Sequence, residues 1–189
     1  MSPARTGLLY LWLGYKHILP LGFDHILFVL CLFFFNPTLK GVMWQSLVFT
    51  FAHSVTLCLA AYHLISIPSN IIEPLIAVSI LYLALENVFL EKLRPSRMII
   101  IFLFGLVHGL GFAGALKNLG LPQQAFLSSL VLFNAGVELG QLTVILLAWF
   151  IIGKWYSAKP YYRNAIVKPV SLAIGMFALV LAIQRTGLF

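Results

Sequence analysis

Charge is what this sequence has least of. Five of its 189 residues are acidic and only 9% are charged, against about 25% in an ordinary soluble domain. Hydrophobic residues make up 61%. A soluble fold of this length has too little polar surface to cover so much apolar area, so lipid is the bulk solvent of the chain. Cysteine is equally scarce. Cys31 and Cys58 both lie in apolar runs, which reads as two small core residues, with neither a disulfide nor a thiolate metal site. No Walker loop, dinucleotide glycine pattern or His-Glu-x-x-His helix is present. ATP-driven transport by this chain alone is therefore not expected.

The net charge of +7 would suit nucleic acid if the basic residues formed a polar patch. Instead they punctuate apolar runs, as residues flanking membrane spans do, and no nucleic-acid partner is expected. Near the N-terminus, Arg5 followed by apolar residues 7–13 imitates a secretion signal. The small-x-small cleavage site is missing, so the segment is expected to be retained.

Apolar runs and their breakers predict one integral membrane domain, residues 1–189, with an all-α, polytopic helix-bundle fold. A short helix over 8–19, rich in Tyr and Trp and ended by Pro20, is too short to span and is expected to be interfacial or re-entrant. Six spans follow, at about 21–36, 41–64, 70–90, 97–117, 123–153 and 166–185, since roughly 20 residues cross a bilayer. The fifth is longer than a bilayer requires, so it tilts or projects beyond it. In this topology Lys40, Lys92, Arg94, Arg97, Lys154, Lys159, Arg163 and Lys168 fall on one side, against Arg5, Lys16, Lys117 and Arg185 on the other. The richer side is expected to be cytoplasmic. Both termini then lie outside, and a bacterial inner membrane is the expected location. Partners beyond the lipid bilayer, either a second copy of the chain or another membrane subunit, are left open.

Of the five acids, only Glu91 sits in an obvious loop. Asp24, Glu73, Glu86 and Glu138 lie in apolar runs or at their edges. A charge at mid-bilayer costs at least about 2.5–3.5 kcal/mol. No Lys or Arg falls near the centre of a span to neutralise one, which favours a functional role over a helix-locking ion pair. Histidines add to the pattern. His17, Asp24 and His25 are expected at the outer mouth, with Glu73 on the same side. His53 and His108 are expected near mid-depth, and His63 nearer the rim as a bystander. Helical spacing puts Asn134, Glu138 and Gln141 on one stripe. Thr50 and His53 share a face with Ser54 adjoining, and Glu73, Ala77, Ile80, Ala84 and Asn87 make a third stripe. Facing one another, these stripes would line a polar cleft.

The segment "FGLVHGLGFAGAL", residues 104–116, mixes glycines and a histidine in an apolar run. Gly105, Gly109 and Ala113 stand at i, i+4 and i+8, a smooth face against which another helix can pack closely in lipid. His108 borders that face, so close packing would bring its imidazole near neighbouring helices. Imidazoles with carboxylates suit divalent nickel, cobalt, zinc or copper.

Together "HILPLGFDHILFVL", "FTFAHSVTL", "FGLVHGLGFAGAL" and "FNAGVELGQ" resemble the HupE/UreJ family. The resemblance runs from about residue 15 to 150. It implies a membrane protein of six to eight spans, of a kind implicated as nickel or cobalt permeases linked to hydrogenase and urease, with Asp24, His25 and His108 as site residues. Two departures stand out. Nickel-type members place five residues between a histidine and Asp-His, whereas here six separate His17 from Asp24. Where their later motif has a first histidine and a glutamate, this chain has Phe104 and Gly111.

Two functions remain open on the sequence. One is a secondary permease or channel for nickel or cobalt. Its metal residues would be His17, Asp24, His25, His53 and His108, with Ser54, Glu73, Asn134, Glu138 and Gln141 along the pathway. The other is an intramembrane zinc hydrolase acting on a lipid or a membrane-anchored peptide. There His25, His53 and His108 with Asp24 would hold the zinc.

Overall fold

The computed structural model describes residues 3–119 and 126–187, with side chains over 5–111 and 127–187. Its regular structure is helical throughout, with no strand among the described residues. The helices are α1 Pro3–Ile18, α2 Phe23–Phe35, α3 Leu39–Ala61, α4 Ser69–Phe89, α5 Ser96–Leu119, α6 Phe126–Ala148 and α7 Arg163–Arg185. α6 continues through a π-helical turn, Trp149–Gly153, to Tyr156, giving a 30-residue span from Leu127. α7 begins with a π-helical turn, Arg163–Val167. Among the described residues, α3, α4, the long α6 and α7 are each long and apolar enough to cross a membrane. α5 has 24 residues, of which Ser96–Gly111 form a shorter apolar helix with described side chains. The chain is thus an all-α polytopic membrane bundle.

The first expected span takes a different form. α2 has 13 residues, a rise of about 20 Å, too little for a hydrocarbon core of about 30 Å. It is bent by 69° from α1, and the pair passes the test for a span only together. α1 packs along α6. Its Gly14 abuts the Phe133 and Val137 backbone of α6, and Gly136 of α6 abuts Leu11 and Tyr15. Gly7 meets Leu132 and Ile18 meets Gly140. Numbers rise together along both helices, so they run parallel. α2 then carries the chain on until the Cys31 carbonyl reaches Asn87, near the far end of α4. The pair has the form of a broken span or a re-entrant segment, with its break at residues 19–22.

Close backbone approach also sets the other pairs. Gly105 and Gly109 of α5 lie against α3. A Cβ on Gly105 would stand 2.8 Å from the Ala52 Cβ, and one on Gly109 would collide with the His53 carbonyl and Thr56 hydroxyl. The Thr56 hydroxyl bonds across that seam to the Leu106 carbonyl at 2.7 Å. The side chain of Ala113 lies outside the described residues. α4 and α7 pair antiparallel, with Gly175 near Ala84 and Arg185 donating to the Glu73 carbonyl at 3.3 Å. α2 occupies the middle. Phe28, Val29, Cys31, Leu32 and Phe33 are all buried, as befits a helix that is apolar on every face. Both described ends of the chain come to the end of the bundle where α4 and α6 begin.

The acids are not all uncompensated. Glu86, buried at the far end of α4, forms an ion pair with Arg97 at the start of α5. Arg97 read as a loop cation in the sequence, yet it is 1% exposed. It also reaches Gln45 at 3.4 Å and Asn87 at 3.3 Å, and packs over the Phe35 ring at 4.5 Å. Buried charges need such partners. This network ties α2, α3, α4 and α5 together at one end. Both cysteines are free thiols, Cys31 buried and Cys58 half-buried.

His63 has a purely local role. It closes α3 at φ 59°, with His63 N–H on the Ala60 carbonyl at 3.1 Å and Leu64 N–H on the Leu59 carbonyl at 3.0 Å. That is the hydrogen-bond pattern of a Schellman cap, where glycine is the usual residue.

Three outcomes follow for thermal unfolding in detergent. Arg97→Met strands the Glu86 charge and lowers stability by about 3–5 kcal/mol. Adding Glu86→Gln restores most of the loss, and equal loss in the double variant would show that the cost does not come from the stranded carboxylate. Gly109→Leu forces α5 off α3 and costs about 1–3 kcal/mol, more than Leu110→Ala; a wild-type melting point would mean the seam is loose. His63→Gly relieves the left-handed residue and raises stability by up to about 1 kcal/mol. A drop would reveal a contact of the imidazole.

Candidate metal centre

The break between α1 and α2 builds the site. Pro20 has no N–H to donate, so α1 cannot run on. The chain turns through Leu21 and Gly22, whose N–H bonds the Ile18 carbonyl at 3.0 Å. A Cβ at Gly22 would lie 2.9 Å from the Ile18 Cα and collide with the His17 carbonyl, so only glycine fits. The Gly22 carbonyl in turn receives the Ile26 N–H at 2.9 Å and starts α2. This sharp turn leaves His17 in the last turn of α1 facing His25 in the first turn of α2, with ring centroids 4.8 Å apart.

Two more helices complete the cluster. His53 of α3 stands 5.7 Å from His25 and 6.2 Å from His17, centroid to centroid. His108 of α5 stands 5.2 Å from His25. One nitrogen each from His17, His25 and His53 lies within 4.8 Å of the others. A tetrahedral metal with bonds of about 2.1 Å brings such nitrogens to roughly 3.4 Å. Small ring movements would therefore close the three around an ion. Phe28 and Phe49 pack on His108 at 5.2 and 5.0 Å, and Phe133 packs on His17 at 5.7 Å.

The donors fit a cation. Among the described residues, His25 Nε2, both ring nitrogens of His53 and His108 Nδ1 are buried with no hydrogen-bond partner. Leaving a buried polar atom unpaired costs about 1–3 kcal/mol, so several such atoms in one place point to something they bind. His108 is held by a hydroxyl. Its Nε2 is 3.0 Å from the Ser79 hydroxyl of α4, which fixes the ring and leaves only Nδ1 uncommitted.

The remaining expected residues divide into those the fold gathers and those it does not. Asp24 neighbours His25 in sequence, but its Oδ2 is 2.9 Å from Arg185 of α7. Its Oδ1 is buried and unpartnered among the described residues. Glu73 is exposed and contributes a backbone carbonyl rather than its carboxylate. The rest of its stripe, Ala77, Ile80, Ala84 and Asn87, is buried in the core. Ser54 spends its hydroxyl on the Thr50 carbonyl at 2.6 Å.

The stripe on α6 faces the stripe on α3. Thr50 Oγ1 lies 2.7 Å from Glu138 and 2.8 Å from Gln141. Ser46 Oγ lies 2.7 Å from Gln141 and 3.4 Å from Glu138. Asn134 donates to the Leu130 carbonyl at 3.0 Å and lies beside His53. Polar groups thus continue from the histidines along the α3–α6 seam, through about two helical turns. Ser46 and Ser79 escaped the sequence reading. Ser46 stands at i−4 from Thr50, so helical spacing could have found it. Ser79 carries no such signal, because it acts on another helix.

The sequence model of the family described as HupE / UreJ protein matches residues 2–185, nearly the whole chain. No curated protein and no solved structure matches it. A match over nearly every residue shows that the chain belongs to the HupE/UreJ family.

Proposed function

We propose that the protein is a secondary permease for a divalent transition-metal cation of the nickel or cobalt type. The observation that carries this reading is the convergence of buried imidazoles from separate helices on a break in the first span. Membrane transporters commonly place their substrate sites at such breaks, where the freed chain ends are enclosed by protein. The cation is the cargo. It passes the half-exposed Asp24 at the end of the bundle where α4 and α6 begin, which Lys and Arg placement makes the outer end. His17, His25 and His53 bind it, with His108 Nδ1 as a further donor. The Asn134–Glu138–Gln141 stripe facing Thr50 and Ser46 leads inward.

A zinc hydrolase is the second reading, since three imidazoles with an open fourth position are a catalytic zinc set. The polar seam running inward along α3 and α6 favours the permease, because hydrolysis at the histidines has no use for it.

Binding of nickel, cobalt and zinc to purified protein, and uptake into proteoliposomes, test the proposal. His25→Ala and His53→Ala each lower affinity by more than the ~10–100-fold typical of residues behind the ligands, and Asp24→Asn lowers uptake. His63→Ala changes neither. Protons compete with metal for imidazole nitrogen, so binding weakens as pH falls. A wild type that binds none of these metals, with all four variants behaving alike, would sink both readings. Zinc binding with ester or peptide hydrolysis and no uptake would select the hydrolase.

A further inference from the structure

Inward of the histidines, α3 and α6 bring together five oxygens with too few hydrogens between them. Thr50 Oγ1 is 2.7 Å from Glu138 Oε2 and 2.8 Å from Gln141 Oε1. Ser46 Oγ is 2.7 Å from the same Gln141 oxygen and 3.4 Å from Glu138 Oε1. Contacts of 2.7–2.8 Å are the length of O–H···O hydrogen bonds, and there are three of them. Each hydroxyl carries one hydrogen, while an amide oxygen and an ionised carboxylate carry none. Two hydrogens cannot serve three short bonds. Only the long fourth contact can do without one.

We infer that Glu138 is a proton-binding site, and that its proton is exchanged against the metal cation held by the histidines. The missing hydrogen is then on Oε2. It is donated to Thr50 Oγ1, Thr50 donates to Gln141 Oε1, and Ser46 donates to the same oxygen, whose two lone pairs accept both. Every short contact carries one hydrogen and the network is neutral, which a membrane interior favours strongly over a lone carboxylate. Inverting the Gln141 amide would instead supply two N–H donors and leave Glu138 ionised. It would only exchange the unpaired amide nitrogen for an unpaired carbonyl oxygen, so what disfavours it is the bare carboxylate it leaves in the membrane.

The exchange rests on the permease reading and adds its driving ion. Thr50 is three residues from His53 on α3, about one helical turn. A divalent cation among the histidines raises the local positive charge and favours loss of the Glu138 proton to water. The Glu138 carboxylate so formed attracts the cation inward. By linkage the effect is reciprocal, and a proton on Glu138 weakens metal binding. The histidines and acids on the helices packed against α6 are His17 on α1, Asp24 and His25 on α2 and His53 on α3, beside the cations Arg5 and Lys16 of α1 and Lys40 of α3 and the weaker acids Tyr10, Tyr15, Cys31 and Cys58. A pH profile of metal binding alone would therefore mix them with Glu138.

Infrared spectroscopy of the purified full-length chain separates them. Near neutral pH, the wild type should show a carboxylic-acid C=O band that Glu138→Gln lacks. Thr50→Val, which removes the oxygen accepting the hydrogen, should move that band, and Thr50→Ser should leave it in place. In proteoliposomes loaded with a pH indicator, cobalt moving one way should drive protons the other way, and Glu138→Gln should abolish the proton movement. Absence of the band in the metal-free wild type overturns the proton site. Cobalt uptake with no proton movement overturns the exchange and leaves the permease reading standing. A chain that binds no metal but shows the band keeps the proton site and loses the permease.

Discussion

A lipid-embedded backbone has to satisfy its polar groups internally, because no water is at hand to do so. That constraint makes a turn at residues 19–22 expensive unless its backbone finds partners. The Leu21 and Gly22 N–H groups bond the Lys16 and Ile18 carbonyls, with Leu21 itself 75% exposed, and α2 beyond the turn lies at the centre of the bundle. Glycines make the close packing of the helices feasible. Gly14 and Gly136 let α1 lie against α6, Gly105 and Gly109 let α5 lie against α3, and Gly22 lets the chain reverse beside His17. Without these contacts the histidines would be spread over four helices with no common centre.

Charge is distributed by the same rule. At one end, Glu86 and Arg97 neutralise each other in a buried network with Gln45 and Asn87. At the other, Asp24 and Arg185 form a half-exposed pair. Between these two closures lie the histidine cluster and the oxygens around Glu138, where no such cation–carboxylate pair is formed. Uncompensated polar atoms in the middle, with ion pairs at both ends, match what the proposed passage of a cation needs: a centre that can accept charge, and ends that are locked when it is absent.

How much of this could be read from the residues differs from element to element. The helical class and the later spans follow from composition and breakers, because an apolar run of about 20 residues has few other stable forms in lipid. The stripes on α3 and α6 follow from helical spacing, which is local. Hydropathy does not register a bend, so residues 8–19 and 21–36 read as a short interfacial or re-entrant helix and a full span, whereas α1 and α2 pass the test for a span only as a bent pair. Arg97 was placed among loop cations because it follows Pro95 and Ser96. Its burial depends on Glu86 and Phe35, which belong to other helices.

By itself the sequence determined a membrane bundle, its helix boundaries to within a few residues, the small-residue face of α5 and the candidate donors His17, His25, His53 and His108. These rest on side-chain type and on periodicity along a single helix. Only the tertiary structure decided that His17, His25 and His53 share one centre, that His108 leans on Ser79, that Asp24 is held by Arg185, and that Glu73 and Ser54 stand apart. Those outcomes depend on the rotation and depth of each helix relative to its neighbours. Both are set by which glycine seams come into contact, a property of pairs of segments far apart in the chain.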